Sequence, residues 1–340
     1  MRIAVDKNSY QVAKNDGNEY IYIYNDESLQ DLMKTKLLCQ EWYEVGSVDI
    51  NTTDYILDCK KKCKVTDKDW DILPPYKEHK IGIIVPNYNY AHTIKLCLDS
   101  IEKQTYKNYQ VVFVDDCSTD NSVEIAESYN DRINIEIVKL KQKRLNGGSR
   151  NEGYLHLQDD VDYIYYIDSD DWFYDENCLQ KINNKLQSEP DVLFVGLAKF
   201  KDNKTEQIHI PAYMDRYQAM EGWSGSCGKV IKRTLATRQE CLFNEGTLKE
   251  DRNQHRRICI YMKDFALLKD PIYVWNQTNM KSVTTIRDQA VWGTSTIRHY
   301  ADLKQLYLTV KGQDETTDQI LKWALYRSLK EIMEGGDKQW

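Results

Sequence analysis

The sequence has no hydrophobic run long enough to cross a membrane, and its longest apolar stretches have the length of single strands. A membrane-spanning helix needs about 20 consecutive apolar residues, so a helical integral membrane protein is excluded. The N-terminal sequence MRIAVDKNSY contains no apolar segment typical of a signal peptide. We therefore expect a cytoplasmic protein, and the many tyrosine, asparagine and lysine residues are compatible with a phage-infected bacterial host.

The sequence also lacks an excess of positive charge, because its formal net charge is −7 at pH 7. This balance argues against a general electrostatic grip on nucleic acid, although a local basic groove stays open as an alternative. The nine cysteines have no regular spacing and indicate reduced thiols in a cytosol. Cys59 and Cys63 form a C-x₃-C pair without further ligands at zinc spacing nearby, so we expect no structural zinc site.

Two glycine-rich phosphate-binding motifs are missing as well. No G-x-G-x-x-G follows the first strand of the main domain, and no G-x-x-x-x-G-K-[ST] occurs in the chain. The first absence excludes the usual dinucleotide-binding fingerprint, and the second excludes a P-loop. If this protein binds phosphates, a different group must hold them.

The sequence pattern divides the chain into three regions. We predict a small N-terminal α+β accessory module over 1–77, an α/β domain over 78–290 and a helical C-terminal tail over 291–340. In the first region the pattern predicts two strands and one helix, at 20–24, 54–57 and 28–42.

Strand and helix patterns alternate over the second region. The predicted strands are 81–85, 111–114, 133–140, 163–167 and 192–195. The predicted helices are 93–103, 122–129, 149–158 and 175–187. Short continuous apolar runs are typical of parallel strands that are buried on both faces. The alternation therefore predicts an α/β fold with a Rossmann-like, doubly wound, mostly parallel sheet.

Polar clusters follow three of these strands, at 86–89, 115–120 and 168–171. The carboxyl ends of parallel strands meet at one edge of a sheet, and folds of this class bind their ligands there. We therefore expect the three clusters to converge on one site.

The third cluster reads Asp168-Ser169-Asp170-Asp171 and follows a buried strand. Taken alone, such a motif is typical of a solvated acidic turn. Asp168 and Asp170 are two residues apart, so they point the same way along an extended strand and can reach one ion. Carboxylate oxygens are the ligands that Mg²⁺ and Mn²⁺ prefer. Because no glycine loop is present to hold phosphates, we expect Mn²⁺ or Mg²⁺ at this position.

Seven segments occur in the order and spacing of one known family. They read VPNYN (85–89), VDDCSTDNS (114–122), NGGSRNEG (146–153), YIDSDDW (166–172), WSGSCGKVIKRTLA (223–236), FNEGTLKEDRNQHRR (243–257) and YVWNQTNMKSVT (273–284). In these segments the chain resembles the GT-A glycosyltransferases of family 2, over about residues 80–290. The resemblance implies a GT-A fold and an inverting, metal-dependent transfer of a sugar from a nucleotide-sugar donor to a hydroxyl acceptor. On family grounds the donor would be a UDP-sugar and the acceptor a saccharide.

The resemblance also implies roles for residues on the donor side. Pro86 and Tyr88 would line the nucleotide pocket. Asp115 would accept a hydrogen bond from the base, and Asp120 would support that loop. Arg150 would approach the base or the diphosphate.

On the same grounds Asp168 and Asp170 would form the metal-binding D-x-D, with Asp168 also reaching the ribose of the donor. Asp251, preceded by Glu250 on the acceptor side, would be the catalytic base that removes the proton of the attacking hydroxyl. Alternative roles for Asp251 are an N-cap of the helix predicted just after it or a surface charge. Trp223, in a loop rich in Gly and Ser, is the tryptophan that we expect to contact substrate.

Two other functions stay open. The acceptor could be a hydroxylated base in DNA, as in phage-type DNA glycosyltransferases, which would need a base pocket with a basic rim. The protein could also bind nucleotide sugars without catalysis. Gln254 and Arg257 match the Q-x-x-R-W motif of processive synthases, but Ile258 replaces its Trp, so we expect a non-processive enzyme. Two helices are predicted after residue 290. We expect them to pack on the catalytic domain or to form a homodimer contact.

Two smaller groups of side chains have less specific patterns. Lys229, Lys232 and Arg233 form a basic cluster that belongs either to a solvated face or to a diphosphate or acceptor contact. His255 and His299 are interpreted as packing or surface residues.

Overall fold

The computed structural model describes residues 2–4, 20–22, 54–56, 77–208, 215–222, 225–278 and 289–333. The chain divides into two compact units, 1–77 and 78–340. In the first unit three short strands form a sheet in which β1 (Arg2–Ala4) lies between the parallel β2 (Tyr20–Tyr22) and the antiparallel β3 (Asp54–Ile56). The helix predicted over 28–42 lies outside the described residues.

The described strands of the second unit form one sheet. They are β4 (Ile81–Asn87), β5 (Tyr109–Asp115), β6 (Ile135–Lys139), β7 (Tyr163–Tyr166), β8 (Trp172–Phe173), β9 (Val192–Lys201), β10 (Lys204–Ile208), β11 (Lys229–Lys232) and β12 (Phe265–Asn276). Their order across the sheet is β6-β5-β4-β7-β11-β9-β12-β8, and β10 pairs with β9.

Helices follow most of these strands. The described helices are α1 (Ile94–Glu102), α2 (Ser122–Glu127), α3 (Leu145–Leu155), α4 (Cys178–Lys185), α5 (Arg216–Gly222), α6 (Arg233–Ala236), α7 (Glu250–Tyr261), α8 (Gln289–Val310) and α9 (Glu315–Met333). Three single 3₁₀ turns lie between them at 186–188, 226–228 and 239–241.

Strand direction decides where the loops meet. Strands β4, β5, β6 and β7 are mutually parallel, whereas β11 is antiparallel to both of its neighbours, β7 and β9. Strand β9 therefore runs in the same direction as β7, and β12 is parallel to β9. As a result, the carboxyl ends of β4, β5, β7, β9 and β12 all lie at one edge of the sheet.

The sheet is buried on both faces, which explains why its central strands read as continuous apolar runs. In β7, Tyr163 and Tyr165 pack into the hydrophobic cluster on one face, with α1 and α4. Ile164 and Tyr166 pack into the cluster on the other face, which contains Ile258 from α7. This layered arrangement of helices on a mostly parallel sheet confirms the predicted α/β fold class.

The predicted start of α3 was wrong, because the helix begins at Leu145 and not near Ser149. The Asp116 carboxylate accepts hydrogen bonds from the backbone N–H groups of Arg144 and Leu145, at 2.6 and 2.8 Å. These bonds satisfy donors that a helix start leaves unpaired, so the helix is extended through the two glycines of the N-G-G sequence. A contact between two segments that are distant in sequence therefore overrides the low helix propensity of glycine.

The two C-terminal helices pack against each other through a small apolar cluster. Its fully buried members on α8 and α9 are Leu303, Val310 and Leu321. Both helices belong to the same compact unit as the sheet. In the part of the chain that the structure describes, no helix combines the length and the apolar character needed to span a membrane.

Two buried histidines hold the helical layer together through backbone carbonyls. The His255 ring lies 2.7 Å from the carbonyl oxygen of Ala219 in α5, and the His299 ring lies 3.3 Å from that of Lys249. Burial is the largest cause that lowers the pKa of His299 to about 3, and the neighbouring Arg256 adds to it. Both side chains are packing residues, as interpreted from the sequence.

Gly153 allows α3 to lie directly on the sheet, and we predict that a methyl group there destabilises the protein. A Cβ atom at Gly153 would lie 2.5 Å from Cγ2 of the fully buried Ile84. Although Gly→Ala favours a helix by about 1 kcal/mol, forced overpacking costs about 1–3 kcal/mol. We expect Gly153→Ala to lower the free energy of unfolding, measured by urea denaturation. In the matched control Gly293→Ala, on α8, a Cβ has no contact within 4 Å among the described residues, so this variant should be neutral or more stable.

His299 should also make stability depend on pH. Since its pKa lies near 3 in the folded state and near 6.5 in an unfolded chain, the unfolded state binds the proton first as the pH falls. Stability is therefore lost between about pH 6.5 and pH 3. We expect His299→Asn to reduce the slope of unfolding free energy against pH in this window by up to about 1.4 kcal/mol per pH unit. Urea titrations at several pH values measure the slope, and a slope equal to that of the wild type would contradict the assignment.

Candidate active site

Asn87, at the end of β4, joins the first two polar loops at the carboxyl edge. Its Nδ2 donates to Asp115 Oδ1 at 3.0 Å and to Ser118 Oγ at 3.1 Å. Asp115, at the end of β5, is buried, and its second oxygen accepts the Ser118 backbone N–H at 2.9 Å. Because each carboxylate oxygen has two acceptor positions, Asp115 keeps acceptor capacity for a further donor.

Asp120 holds the same pair of loops together from the other side. Its carboxylate accepts the backbone N–H groups of Ala91, at 2.9 Å, and Ser122, at 3.1 Å. Burial alone would raise the pKa of Asp120, but the hydrogen bonds from Ser122 and Ala91 hold it below its usual value. The carboxylate therefore stays ionised as a fixed acceptor between the loops.

Three residues of these loops adopt the left-handed backbone region. Asn89, Cys117 and Leu145 have φ angles of 58°, 65° and 60°. This region costs an L-residue about 1–2 kcal/mol, and it persists only where the surroundings hold the chain. The Asn89 N–H donates to Ser118 Oγ at 2.9 Å, and the Cys117 thiol to the Leu140 carbonyl at 3.2 Å. Such concentration of backbone strain is typical of ligand-binding loops.

The side chains of Pro86 and Tyr88 lie in different surroundings. Pro86 is buried in β4, and its carbonyl accepts the Ser169 hydroxyl at 2.6 Å. Tyr88 is 36% exposed, and Lys143 Nζ lies 3.2 Å from the centre of its ring. Tyr88 and Lys143 therefore form a cation–π pair at the solvent side of the loops.

The Asp168–Asp171 segment forms a turn directly after β7. The Asp171 N–H donates to the Asp168 carbonyl at 3.0 Å, which closes the turn. The Asp171 carboxylate is buried against β12, where it accepts the Tyr273 hydroxyl and the Asn276 N–H, the latter at 2.7 Å. Asp171 is thus an anchor of the turn to β12, and the short strand β8 follows it.

The three carboxylates of this turn create a region of strong negative potential. Burial raises the pKa of Asp171 well above its ordinary value, and the charges of Asp170 and Asp168 add to this effect. Burial and the same two charges also raise the pKa of Tyr90. Within the described ranges, no group of three or more His, Cys, Asp or Glu side chains forms a protein-only metal site. The carboxylates of Asp168 and Asp170 nevertheless fit a Mg²⁺ or Mn²⁺ ion. Such an ion would take its other ligands from phosphates and water.

Arg150, on α3, is the cation that faces this turn. Its Nη2 lies 2.6 Å from Asp168 Oδ1, and its Nη1 lies 2.6 Å from Glu250 Oε1. The Arg150 side chain is 2% exposed, and burial alone would lower its pKa. The charges of Asp168 and Glu250 outweigh burial and raise the pKa above its ordinary value, so the guanidinium stays charged. Both terminal nitrogens of Arg150 are therefore engaged by carboxylates.

Glu250 and Asp251 form the first turn of α7, which begins at Glu250, earlier than predicted. Burial raises the pKa of Glu250 to about 7, the Arg150 charge opposes this rise, and Asp251 adds to it. Asp251 is half-buried, whereas Glu250 is buried against Arg150. The two neighbouring carboxylates thus have different surroundings, and the positive end of the helix dipole favours both as anions.

The basic cluster predicted from the sequence is divided in the structure. Lys229 pairs with Phe194 at the site end of β11 and is fully buried, and its ammonium donates to the Gly225 carbonyl. Lys232 and Arg233 lie three and four residues further along, at the opposite end of the short strand, and contact other carbonyl groups there. Burial lowers the pKa of Lys229 to about 8, and the charges of Cys259 and Asp251 oppose this shift.

The tryptophans of the second unit, among them the one expected to contact substrate, are only partly described. Trp223 lies outside the described residues, as does the side chain of Trp292. Trp275, near the end of β12, is 39% exposed. Trp172 follows the acidic turn and packs edge-on against Phe200, with 5.4 Å between ring centres.

Sequence reasoning missed two residues that organise the site and did not separate a third, Lys229, from the rest of its basic cluster. Asn87 bridges two loops, Asp116 fixes the start of α3, and Lys229 brings a buried ammonium to the edge of the sheet where these loops lie. A signal for the first two is present, because both are polar residues directly at strand ends. No local sequence signal shows that Lys229 and not Lys232 lies at the site. Only the register of the strand places Lys229 at that edge of the sheet.

Comparison with known proteins gives a consistent result. The family described as Glycosyl transferase family 2 matches residues 82–249. The glycosyltransferase GlyA of Streptococcus pneumoniae serotype 4 is 27% identical over 220 residues, which cover 58% of this chain and 30% of GlyA. The poly(ribitol-phosphate) beta-N-acetylglucosaminyltransferase TarS of Staphylococcus aureus is 32% identical over 120 residues, 35% of this chain and 21% of TarS. The chain thus spans less than a third of the length of either relative.

A solved structure supports the fold. Residues 1–349 of S. aureus TarS in complex with UDP-GlcNAc are similar with a TM-score of 0.58 and 18% identity, over 75% of this chain and 73% of that chain. The family predicted from the seven sequence segments is confirmed. Residues 82–249 belong to glycosyl transferase family 2, and the fold of the chain is similar to that of the GT-A glycosyltransferases.

Proposed function

We propose that this protein transfers a sugar from a nucleotide-sugar donor to a hydroxyl group of a saccharide acceptor, with inversion at the anomeric carbon. The observation that carries the proposal is the arrangement at the carboxyl edge. Asp115 ends β5, Asp168 and Asp170 follow the parallel strand β7, and Arg150 connects Asp168 to Glu250 beside Asp251.

The donor is proposed to be a UDP-sugar. The solved relative TarS was crystallised with UDP-GlcNAc, which supports a uridine nucleotide. The buried Asp115 keeps acceptor capacity for the N–H of a base, and Asp120 holds its loop. Pro86 and Tyr88 lie on the neighbouring loop and would line the nucleotide pocket.

Asp170 and Asp168 are proposed to hold Mn²⁺ or Mg²⁺. A divalent ion there would neutralise the charge that develops on the departing diphosphate. The donor set supports this assignment, because carboxylates alone suit a hard cation whose remaining ligands are phosphate oxygens. Asp168 is one-third exposed, so one of the carboxylates is accessible from solvent.

Asp251 is proposed to be the catalytic base. It is half-buried in the first turn of α7, adjacent to the Arg150–Glu250 pair that contacts the D-x-D turn. Its carboxylate would take the proton of the acceptor hydroxyl while that oxygen attacks the anomeric carbon, opposite the departing diphosphate. In-line attack of this kind inverts the configuration.

We propose a saccharide as the acceptor and a non-processive mode of transfer. Half-exposed aromatic rings, Trp172 and Trp275, lie on strands that border the acidic turn, and such rings offer apolar faces to a sugar. Arg257 of the incomplete Q-x-x-R motif is paired with Asp302 of α8 at 2.9 Å, which gives it a structural partner. Homodimer formation through α8 and α9 and a cytoplasmic location remain predictions.

We expect Asp170→Asn to weaken metal-dependent donor binding. Loss of the charge removes a ligand for the cation, whereas binding of the base should persist. Isothermal titration of UDP in Mn²⁺ and in EDTA measures both, and we expect an affinity loss of about tenfold or more in Mn²⁺ only. Asp160→Asn, whose side chain is 68% exposed and pairs with Lys80, is the control. Unchanged UDP affinity in Mn²⁺ would refute the metal role of Asp170.

We expect Asp251→Asn to keep donor affinity and to lose transfer. An amide cannot accept the hydroxyl proton, and general base catalysis contributes about 10²–10⁴-fold to rate. Release of UDP from UDP-GlcNAc, with saccharide acceptors and with water alone, measures turnover. Titration of UDP in Mn²⁺ measures donor affinity, with Asp160→Asn again as the control. Near-normal turnover in Asp251→Asn would move the base to another residue.

A further inference from the structure

Arg150 connects a solvent-accessible carboxylate to a buried one. Its two terminal nitrogens each lie 2.6 Å from a carboxylate oxygen, one of Asp168 and one of Glu250. The side chains of Arg150 and Glu250 are 2% and 7% exposed, whereas that of Asp168 is 33% exposed. A change of charge at Glu250 is therefore transmitted through one guanidinium to the carboxylate beside the proposed cation site.

The backbone around Arg150 is fixed against the segment that leads into α7. Asn151 and Phe243 exchange two hydrogen bonds, from Nδ2 to the carbonyl at 2.9 Å and from the backbone N–H to Oδ1 at 3.0 Å. The Phe243 ring lies 5.3 Å from the Arg150 guanidinium carbon. A Cβ at Gly147 would lie 2.8 Å from the Asn244 carbonyl, so only glycine allows this approach. The guanidinium therefore has little freedom to leave either carboxylate.

The balance of charge between Arg150, Asp168 and Glu250 decides how strongly Asp168 attracts a cation. One guanidinium charge is shared between two carboxylates, and a low-dielectric surrounding strengthens each pair. If Glu250 lost its charge, the full charge of Arg150 would act on Asp168 and on any cation nearby. The cation would then meet both a weaker ligand and a stronger repulsion.

We propose that Glu250, acting through Arg150, is a positioning residue that keeps Asp168 competent to hold a divalent cation. The first turn of α7 is then part of the donor-binding machinery, although Glu250 itself touches neither cation nor nucleotide. Because coupling between two sites is reciprocal, a bound cation in turn strengthens the Arg150–Glu250 pair. This inference rests on the proposed metal site at Asp168 and Asp170.

The test is the variant Glu250→Gln, which keeps an oxygen to accept the Arg150 hydrogen bond and removes only the charge. UDP is titrated into the protein by calorimetry, once in Mn²⁺ and once in EDTA. We expect UDP affinity to fall about tenfold in Mn²⁺ and to stay within twofold in EDTA. A purely structural role would lower the thermal midpoint and affect both titrations equally.

The matched control is Glu245→Gln. Glu245 lies on the same segment before α7 and also pairs with an α3-side arginine, Arg144, at 2.6 Å, but it does not contact Arg150. We expect its UDP affinity in Mn²⁺ to equal that of the wild type. An equal loss in both variants would overturn the proposal, because it would show a general effect of charge in this region.

A second comparison tests the route through Arg150. Lysine keeps the charge but cannot hold two carboxylates as the planar guanidinium does. In an Arg150→Lys background we expect Glu250→Gln to change UDP affinity in Mn²⁺ by less than threefold. A full tenfold effect in both backgrounds would overturn Arg150 as the link. Wild-type protein that shows no Mn²⁺-dependent UDP binding would instead refute the proposed metal site, so the two failures are distinguishable.

Discussion

The buried charge of Arg150 constrains the arrangement of everything around it. Removing a guanidinium from water costs several kcal/mol, and only well-placed carboxylates offset this cost. Asp168 and Glu250 supply them at 2.6 Å from two different segments, so the D-x-D turn and the start of α7 must both reach α3. The glycine at position 147 inside α3 is consistent with this requirement, because a side chain there would meet the Asn244 carbonyl.

The sheet provides the second constraint, since it decides which loops can meet. Parallel strands bring Asn87, Asp115 and Asp168 to one edge, and hydrogen bonds between the loops then fix their backbones. Left-handed residues such as Cys117 and Leu145 show that these loops are held in conformations they would not adopt alone. A rigid loop loses little freedom when a ligand binds, so the strain favours a preorganised site.

The sequence was sufficient for the layered fold because its signals are local. Continuous apolar runs, helical spacing and polar residues at strand ends predict the parallel strands and the edge at which Asp115 and Asp168 lie. It was not sufficient for contacts that depend on register or on distant segments. Asp171 finds its partners on β12, about one hundred residues away, and Lys229 rather than Lys232 lies at the site edge because β11 is inserted antiparallel. Arg150 was predicted to face the nucleotide, and nothing local indicates that both of its terminal nitrogens contact carboxylates.

The neighbouring pair Glu250 and Asp251 shows how one helix turn can serve two sides of a reaction. Successive helix residues point about 100° apart, so one carboxylate can be buried against Arg150 while the next stays half-exposed. Burial raises the pKa of Glu250 to about 7, and the guanidinium opposes that rise, so its ionisation depends on the pair. Asp251, the next residue of the helix, is half-buried. Under the proposed function, the paired carboxylate would act on the donor side and would leave its neighbour for the acceptor hydroxyl, so each of the two acidic residues at the helix start would have its own role.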